Sequence, residues 1–485
     1  MKKGFKLFCI LVFFGICAIP PLLMGFVKND TMQMEKREPK PMPDYLIDGR
    51  LNLNFSDGFE AWLNDRIPFR AQLLSAANFL KGEVLHSASS NVIVGKDGWL
   101  YYNTEADDYL NANALTDHQI QSMAVTVSLI EENVTSRGGA FTFVPMPNKA
   151  SVYGDRLPAA YRAAKENNLS RLTEALKECG VNFVDMKQVM LDARSQGKEV
   201  YHRRDSHWNY LGALIGYNAI MDSLGREHFT WSDVQYTVEK TWRGDLDKLL
   251  YPAGGTLDDQ YVFDVDFSDF RFTYPMSMTD PKTQLASYMS DREEQDMNFT
   301  AKNKARNDGS RLLMVRDSFG RALLPYFIES YDTATFRRAD RPDLVNLADG
   351  TDLVYEIVER NLSRILNTAP FLYAPERTGI SAEGKAKVGS VELHAEAEGY
   401  GLRLYGALPE DVDRGDGRVY LLLERDGTTL ALEAFPIWEA ERMGRAGTDG
   451  FSAILDPGLD LAGDYQITVI TGNATCDGGT VTVTP

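Results

Sequence analysis

The middle of the chain alternates between apolar residues at helical spacing and short apolar runs that are typical of buried strands. Helices are predicted for residues 110–136, 169–179, 208–224 and 319–330, and strands for residues 140–147, 181–185, 311–315 and 352–358. Helices and strands that alternate in this way form a mostly parallel sheet with helices on both faces. The pattern therefore predicts an α/β fold for this part of the chain.

The pattern differs on either side of this region. Residues 55–85 carry apolar residues at helical spacing, and residues 92–102 form two short apolar runs around a Gly-Lys-Asp-Gly turn. Residues 231–307 are irregular and predict loops over one edge of the sheet. Beyond about residue 378, short alternating runs separated by turn residues predict an all-β, sandwich-like domain.

The N-terminus combines positive charge with an uninterrupted apolar run. Lys2, Lys3 and Lys6 precede residues 7–27, which contain no charged residue, and Lys28 follows. Such a run is long enough to span a bilayer, and its end is a poor match to a signal-peptide cleavage site. An uncleaved signal anchor is therefore favoured, with a cleaved signal peptide as the alternative. Positive residues keep the N-terminus cytoplasmic, so both alternatives put the rest of the chain outside the cytoplasm.

The net charge and the cysteine content of the chain disfavour some classes of binding partner and cofactor. The net charge of −18 disfavours a nucleic-acid partner, because binding phosphate needs a basic surface. The four cysteines fit no metal or redox spacing, and they are too few for a disulfide scaffold. A bridge between Cys179 and Cys476 is conceivable from the sequence, and no cofactor is predicted.

Ser318 lies where an apolar run, predicted as a strand, gives way to an Asp-Ser-Phe-Gly turn and a predicted helix. A hydroxyl at such a turn would stand at a helix N-terminus, where developing negative charge is stabilised. Serine is a weak nucleophile until a base activates it, and a histidine oriented by a carboxylate is a common base. Asp205 and His207 supply both groups two residues apart, in another predicted loop before a helix.

Plainer interpretations exist for the same residues. Ser318 or Asp205 can simply cap the helix that follows. His202 stands close to Asp205 and His207, so a metal site is an alternative, although no further cluster has ligand spacing. The presence of both segments at comparable loop positions favours a catalytic serine, and no metal is predicted.

Several short motifs occur in an order that resembles one family. They lie at residues 59–70, 94–101, 144–149, 205–209, 244–246 and 316–320, and the last three are Asp-Ser-His-Trp-Asn, Gly-Asp-Leu and Arg-Asp-Ser-Phe-Gly. On these motifs the chain resembles the alginate O-acetyltransferases of the AlgJ/AlgX group and the related DHHW proteins. That resemblance implies an SGNH-hydrolase-like three-layer domain in which the Asp-x-His motif precedes the serine.

The resemblance also implies a role for each residue of the two segments. Ser318 would be the nucleophile, His207 the general base and Asp205 the group that orients the base. Members of the family transfer acetyl groups to an exported polysaccharide through an acyl-serine intermediate, with a membrane-bound O-acyltransferase as the donor partner. The chain departs from the family pattern at Arg316, where a glycine is more usual, and at His202, where an aromatic residue is more usual.

Residues near these motifs are candidates for substrate binding. Lys149 and Arg316 could bind an anionic sugar or stabilise an oxyanion, although ion-paired roles fit them equally well. Trp99 and Trp208 could stack on sugar rings, but a tryptophan that opens an apolar helix is more typical of a core. The candidate binding residues are Asn148, Lys149, Arg316 and Trp208.

These observations divide the chain into four predicted parts. Residues 1–28 are a membrane anchor or signal, and residues 29–84 are a linker with N-terminal helices. Residues 85–377 are a catalytic domain, and residues 378–485 are a β-sandwich domain that could bind carbohydrate. The predicted activity is O-acetylation of an exported or cell-surface polysaccharide. A carbohydrate acetyl esterase with the same triad is one alternative, since exclusion of water decides between transfer and hydrolysis. A non-catalytic glycan-binding or assembly protein is the other.

Overall fold

A computed structural model describes residues 3–24, 26–27, 39–47, 49–81, 91–230, 235–263, 270–273, 298–437, 449–459 and 461–483. Helix α1 (Lys3–Leu23) includes 20 residues, Gly4–Leu23, whose length and composition suffice to cross a membrane. A signal sequence near an N-terminus has the same properties. The choice between anchor and cleaved signal therefore stays a prediction. Residues 29–38 at the start of the predicted linker lie outside the described residues.

Two short strands and two helices follow: β1 (Leu46–Ile47), β2 (Arg50–Leu51), α2 (Phe55–Asn64) and α3 (Arg70–Phe79). The helical pattern predicted for residues 55–85 is thus divided into two helices. Pro68 has no amide hydrogen to continue the first helix, and Phe69 takes a left-handed conformation, with φ of 60°. Residues 82–85 lie outside the described part of the chain.

The chain then alternates between strands and helices, largely as predicted. The elements are β3 (Val92–Val94), β4 (Leu100–Tyr102), α4 (Asn103–Leu110), α5 (Asp117–Ser136), β5 (Phe141–Met146), α6 (Lys149–Tyr153), α7 (Asn168–Glu178), α8 (Met186–Ser195) and α9 (Tyr210–Ser223). Helix α5 begins at Asp117 rather than at residue 110, because Thr116 and Gln119 form a capping box there.

The strand predicted for residues 181–185 is reduced to a single bridge between Phe183 and Phe143. Gly180, with φ of 70°, follows the end of α7, and the side chain of Asp185 caps α8. The four residues between these helix ends pair with β5 only at that bridge, so the predicted strand was wrong.

The second half of the α/β region contains β6 (Tyr236–Trp242), α10 (Asp245–Leu250), β7 (Asp258–Phe263), β8 (Phe270–Thr273), β9 (Phe299–Asn303), β10 (Arg311–Arg316), α11 (Leu324–Ser330), β11 (Thr333–Arg338) and β12 (Thr351–Val358). Residues 231–307 were predicted as loops. Where described, they form the β6–β7 hairpin, helix α10 and strands β8 and β9 instead. Residues 231–234, 264–269 and 274–297 of that segment lie outside the described residues.

The central sheet has six strands in the order β5-β12-β10-β11-β9-β8. The first four run parallel, and β9 and β8 add an antiparallel edge. Alternate residues of β10 point to opposite faces: Leu312 and Met314 pack in a core with α8, α9 and α11, whereas Leu313 and Val315 pack in a core with α5 and α7. Helices on both faces make three layers, which confirms the predicted α/β class with a mostly parallel sheet.

The C-terminal region is rich in strands: β13 (Glu376–Arg377), β14 (Ala386–Ser390), β15 (Leu393–Glu398), β16 (Gly401–Ala407), β17 (Val419–Arg425), β18 (Thr428–Ala434), β19 (Gly450–Leu455), β20 (Gly463–Thr471) and β21 (Ala474–Val483). They form a six-stranded sheet, β13-β18-β17-β20-β21-β14, and a three-stranded sheet, β15-β16-β19. Leu404 of the smaller sheet shares a core with Leu421 and Ile467 of the larger one. The predicted all-β, sandwich-like character of this region is confirmed.

The strand-rich region packs against helix α5. Arg377 forms ion pairs with Glu132 of α5 and with Glu433 of β18. Phe435, just after β18, joins the apolar core on that face of the central sheet. Cys179 and Cys476 are both free thiols, so the bridge considered from the sequence does not form.

Candidate active site

Ser318 lies in the turn that follows β10, at the carboxyl end of the central sheet. Its backbone, with φ of −69° and ψ of −24°, leads into a short 3-10 helix, Phe319–Leu323, and then into α11. The Ser318 side chain makes no capping hydrogen bond to that helix, so the plain capping interpretation was wrong. Its Oγ instead lies 2.9 Å from Nε2 of His207.

His207 and Asp205 form a hydrogen-bonded pair in the loop before α9. Oδ1 of Asp205 accepts hydrogen bonds from Nδ1 of His207 at 2.6 Å and from its backbone N–H at 3.0 Å. A carboxylate can only accept, so Nδ1 carries the proton and Nε2 is left to accept from the Ser318 hydroxyl. Asn209, rather than Asp205, caps α9.

Burial and charge set the protonation of this pair. Burial alone would raise the pKa of Asp205, but the charge and hydrogen bond of His207 hold that pKa well below its usual range. Burial alone would lower the pKa of His207, but the charge and hydrogen bond of Asp205, together with the charge of Asp245, raise it. Asp205 is therefore ionised at neutral pH and stabilises the imidazolium that forms when His207 takes a proton.

Two further groups, to which the sequence analysis gave no role, hold Asp205 from its other side. Nε1 of Trp242 and the backbone N–H of Asp245 both donate to Oδ2 of Asp205, at 3.0 Å and 2.9 Å. The Gly-Asp-Leu motif was the available signal for this contact. Gly244 allows the approach, since a Cβ there would lie 2.1 Å from the carbonyl oxygen of Arg204.

Asp245 also brings a second carboxylate close to the imidazole. Its Oδ2 lies 3.6 Å from Nδ1 of His207 and accepts a hydrogen bond from the Ser206 hydroxyl, while Oδ1 accepts the Ser206 N–H. Burial and the charge of Asp205 raise the pKa of Asp245. The imidazole is therefore oriented by one carboxylate and lies within the field of a second.

The metal alternative that involved His202 is not supported by the position of this residue. The His202 ring stacks on Trp242, with centroids 4.7 Å apart and planes within 5°, and burial lowers its pKa to about 4. Among the described residues, Asp205, His207 and Asp245 are the ones whose potential ligand atoms lie close together, within 4.8 Å. Each of the three is already hydrogen-bonded inside the site.

Lys149 lies beside the site but faces the interior. Its Nζ donates to the main-chain carbonyls of His202 and Arg203, both at 3.2 Å, and of Asp205 at 2.5 Å. The side chain is fully buried, and burial lowers the pKa of its amine. Lys149 therefore braces the loop that carries Asp205, and the sugar contact predicted for it is not supported.

Asn148, Trp208 and Trp99 are buried as well. Asn148 donates to the Asp108 carboxylate at 2.8 Å, and Nε1 of Trp208 donates to the Phe319 carbonyl at 2.9 Å. Trp99 is 3% exposed and packs in the core. The binding roles predicted for Asn148 and Trp208, and the stacking considered for Trp99, are thus not supported, because all three residues are buried.

Arg316, the last residue of β10, is fully buried and donates to the carbonyl of Asp317 at 2.9 Å. The sugar contact predicted for Arg316 is therefore not supported, because its guanidinium is buried. The close approach for which a glycine was expected at this turn occurs at Gly320 instead. A Cβ at Gly320 would lie 2.7 Å from Cβ of Arg316 and 2.8 Å from Oε2 of Glu356.

The chain is similar to known acetyltransferases over part of its length. Residues 92–256 match a family model described as the SGNH hydrolase-like domain of the acetyltransferase AlgX. The probable alginate O-acetylase AlgJ of Pseudomonas aeruginosa is 24% identical over 206 residues, which cover 41% of this chain and 51% of AlgJ. AlgJ of Pseudomonas putida is 22% identical over 174 residues, covering 35% of this chain and 44% of that protein. The chain thus spans about half the length of the curated relatives it matches.

Among solved structures, a DHHW family protein from Eubacterium siraeum is 17% identical, with a TM-score of 0.43 over 56% of this chain and 91% of that chain. The segment matched by the family model includes Asp205, His207 and Asp245, while Ser318 lies beyond it. Residues 92–256 are therefore similar to the SGNH hydrolase-like domain of the acetyltransferase AlgX, and the resemblance predicted from the motifs is confirmed.

Proposed function

We propose that this chain is a serine-dependent O-acyltransferase that moves acetyl groups onto a polysaccharide. The observation that carries the proposal is the continuous hydrogen-bonded series from Asp205 through His207 to Ser318, at 2.6 Å and 2.9 Å. A hydroxyl, a base and an orienting carboxylate in this geometry are the requirements of a nucleophilic serine. The His207 side chain is 17% exposed, so the reacting end of the series remains accessible.

In the first half-reaction, Ser318 Oγ attacks the carbonyl carbon of an acetyl donor while Nε2 of His207 takes the hydroxyl proton. The donor's bond to the acetyl carbon breaks, and His207 returns the proton to the leaving oxygen. The product is an acetyl ester on Ser318. No described residue accepts a hydrogen bond from the Ser318 backbone N–H. This N–H is therefore left to stabilise the negatively charged oxygen that forms when Oγ attacks the acetyl carbonyl.

In the second half-reaction, a sugar hydroxyl takes the place of the leaving group. His207 removes its proton, the sugar oxygen attacks the acetyl carbon, and the Ser318 oxygen leaves with the proton that His207 returns. Asp205 keeps the proton of the neutral imidazole on Nδ1 throughout, because its Oδ1 accepts that hydrogen bond. The same residues would hydrolyse the ester if water entered instead of sugar.

The proposed acceptor is a polysaccharide outside the cytoplasm. Relatives of the chain are named as probable alginate O-acetylases, and Lys2, Lys3 and Lys6 before the apolar helix favour a cytoplasmic N-terminus. We propose a membrane-bound O-acyltransferase as the partner that supplies acetyl groups. The apolar helix would hold the two proteins in the same membrane.

The test uses the full-length chain in detergent with p-nitrophenyl acetate as donor, with and without oligosaccharides as acceptors. Mass spectrometry of the sugars measures transfer, and acetate release measures hydrolysis. We expect acetylated sugars from the parent chain and none from Ser318→Ala. Acetate without acetylated sugar would favour the esterase, and equal activity of the parent and Ser318→Ala would contradict the proposal.

A further inference from the structure

A buried carboxyl group lies directly behind the turn that carries Ser318. Glu356 belongs to β12, the strand that pairs in parallel with β10, and its side chain is fully buried. The residues on the same face of the strand, Val354 and Val358, are apolar and pack in the core. A carboxyl group in such a strand is costly to bury unless its oxygens are hydrogen-bonded, so its contacts define what it does.

Glu356 holds the turn on both sides of Ser318. Its Oε2 accepts hydrogen bonds from the backbone N–H of Asp317 and of Gly320, both at 3.1 Å. The Asp317 side chain secures the residue between them, since its Oδ1 accepts the N–H of Phe319 at 2.8 Å. Three of the backbone donors of this turn are therefore held by two carboxyl groups, and the Ser318 N–H remains for the reacting oxygen.

The second oxygen of Glu356 shows which of the two acids is neutral. Oε1 is buried, and no donor reaches it from the described residues. Asp317 lies within hydrogen-bonding range of this carboxyl group. Burial and then the Asp317 charge raise the pKa of Glu356 well above its usual range, and the opposing effects of the Asp317 N–H and the buried Arg316 charge do not offset them. Two adjacent buried carboxyl groups do not both ionise, because like charges in a medium of low dielectric repel strongly.

The partners of Asp317 indicate that it is the ionised member. Its Oδ2 accepts from the backbone N–H of Val358 at 2.9 Å and from Nδ2 of Asn361 at 3.2 Å, in addition to the Phe319 contact. Three donors directed at one carboxyl group stabilise its charged form. The proton shared by the two acids therefore belongs on Glu356.

We propose that Glu356 is a positioning residue for Ser318, a neutral carboxylic acid whose Oε2 fixes the N–H groups of Asp317 and Gly320 and whose Oε1–H donates to the Asp317 carboxylate. This inference rests on the proposed function, in which Ser318 is the nucleophile. Glu356 touches neither the donor nor the sugar. It acts by keeping the Ser318 turn in the position where Oγ meets His207.

The chemistry of a neutral acid predicts which substitutions are tolerated. Glutamine has a carbonyl oxygen that can accept both N–H groups and an amide that can donate to Asp317, so Glu356→Gln retains the hydrogen bonds. Leucine has a similar size and retains none of them. If Glu356 were instead ionised and acted through its charge, glutamine would be as harmful as leucine.

The test measures kcat and KM for p-nitrophenyl acetate in the full-length chain. We expect Glu356→Gln to keep kcat within about threefold of the parent, since its hydrogen bonds are preserved. We expect Glu356→Leu to lower kcat about 100-fold with little change in KM, the size of effect that misplacement of a reacting group by about 1 Å produces. A kcat of Glu356→Leu near that of the parent, or an equal loss in both variants, would overturn the proposal.

Glu359→Leu is the matched control. Glu359 is a buried glutamate directly after the same strand, and it accepts hydrogen bonds from Ser151, Asn167 and the Asn148 N–H rather than from the turn. We expect Glu359→Leu to lower thermal stability without the loss of kcat per folded molecule that is expected for Glu356→Leu. A matching loss in Glu359→Leu would mean that any buried glutamate here acts only through stability, which would also overturn the proposal.

Infrared difference spectroscopy keeps the inference testable if Glu356→Leu fails to fold. The parent chain should show the carbonyl band of a protonated carboxylic acid that Glu356→Gln lacks, and the absence of such a difference would contradict the neutral acid.

Ser318→Ala separates this inference from the proposed function. Activity in Ser318→Ala would refute the proposed function, whereas loss there together with full activity in Glu356→Leu would refute the role of Glu356 alone.

Discussion

Nε2 of His207 lies 2.9 Å from Oγ of Ser318, although 111 positions separate the two residues along the chain. Only the fold brings them together: Ser318 follows the central strand β10, and His207 precedes helix α9. The contact depends on two turns held by buried polar groups, the Ser318 turn by Glu356 and the His207 loop by Lys149. Each support can be removed separately.

The pH dependence of kcat/KM should report the pKa of His207. The charges and hydrogen bonds around His207 raise this pKa above its usual value of 6.5, despite the opposing effect of burial. The base must be neutral to accept the Ser318 proton, so activity should rise with pH and reach half its maximum above pH 6.5.

Two substitutions should move that midpoint in opposite directions. The charge of Asp245 raises the pKa of His207 and that of Arg321 lowers it. Asp245→Asn should therefore shift the midpoint to lower pH, and Arg321→Gln should shift it to higher pH. Midpoints that move in the same direction in both variants would argue against control of activity by His207.

Trp242→Phe removes the N–H that donates to Oδ2 of Asp205 at 3.0 Å. A hydrogen bond to a charged group contributes about 1.5–3 kcal/mol, so we expect kcat/KM to fall about tenfold or more. Trp99→Phe is the matched control, since Trp99 is also buried, and its ring stacks on Tyr153 and lies near Nζ of Lys149 rather than donating to Asp205. Equal losses in the two variants would assign the effect of Trp242 to packing rather than to the Asp205 contact.

Lys149→Met should destabilise the fold as well as the site. It leaves the buried main-chain carbonyls of His202 and Asp205 without the Lys149 donor, whereas the Arg203 carbonyl keeps the Leu100 N–H, and we expect the free energy of unfolding to fall by about 3 kcal/mol. Urea denaturation measures this change. The exposed Lys165 serves as a control, and Lys165→Met should change the free energy by less than about 0.5 kcal/mol. A similar value for both would contradict the bracing role of Lys149.

Arg377 stands at the proposed boundary between the catalytic and strand-rich domains. It pairs with Glu132 on one side and with Glu433, which is 1% exposed, on the other. Arg377→Gln should lower the free energy of unfolding by about 2 kcal/mol, because the buried Glu433 carboxylate loses one charged partner and keeps Arg418. Arg364→Gln, which breaks an exposed pair with Asp340, should cost less than about 1 kcal/mol. Equal effects would argue that Arg377 does not join the two regions.

The sequence predicted those parts of the fold that local patterns determine. Apolar periodicity identified β5, β10, β12 and the helices between them, and the Asp-x-His and Asp-Ser motifs identified the three residues that meet in the site. Helix ends were less predictable, because a single cap decides them. Gly180 and Asp185 eliminated a predicted strand in this way.

The supporting residues could not be predicted, because their roles depend on long-range contacts. Trp242 and Asp245 reach Asp205 from a region without apolar periodicity, and only the Gly-Asp-Leu motif marked it. Lys149 and Arg316 were candidates for binding an anionic sugar or an oxyanion, with ion-paired roles as the alternative, yet both are fully buried. Nothing local in the sequence distinguishes a buried lysine that binds main-chain carbonyls from an exposed one that binds sugar.

The central claim is that acetyl groups pass through the Ser318 oxygen. The most direct measurement is rapid acid quenching of the full-length chain with p-nitrophenyl acetate, followed by mass spectrometry of the intact protein and its peptides. We predict the mass of one added acetyl group, located on Ser318 and lost when an oligosaccharide acceptor is added before the quench. Turnover without an acetylated protein, or an acetyl group on a residue other than Ser318, would contradict the account.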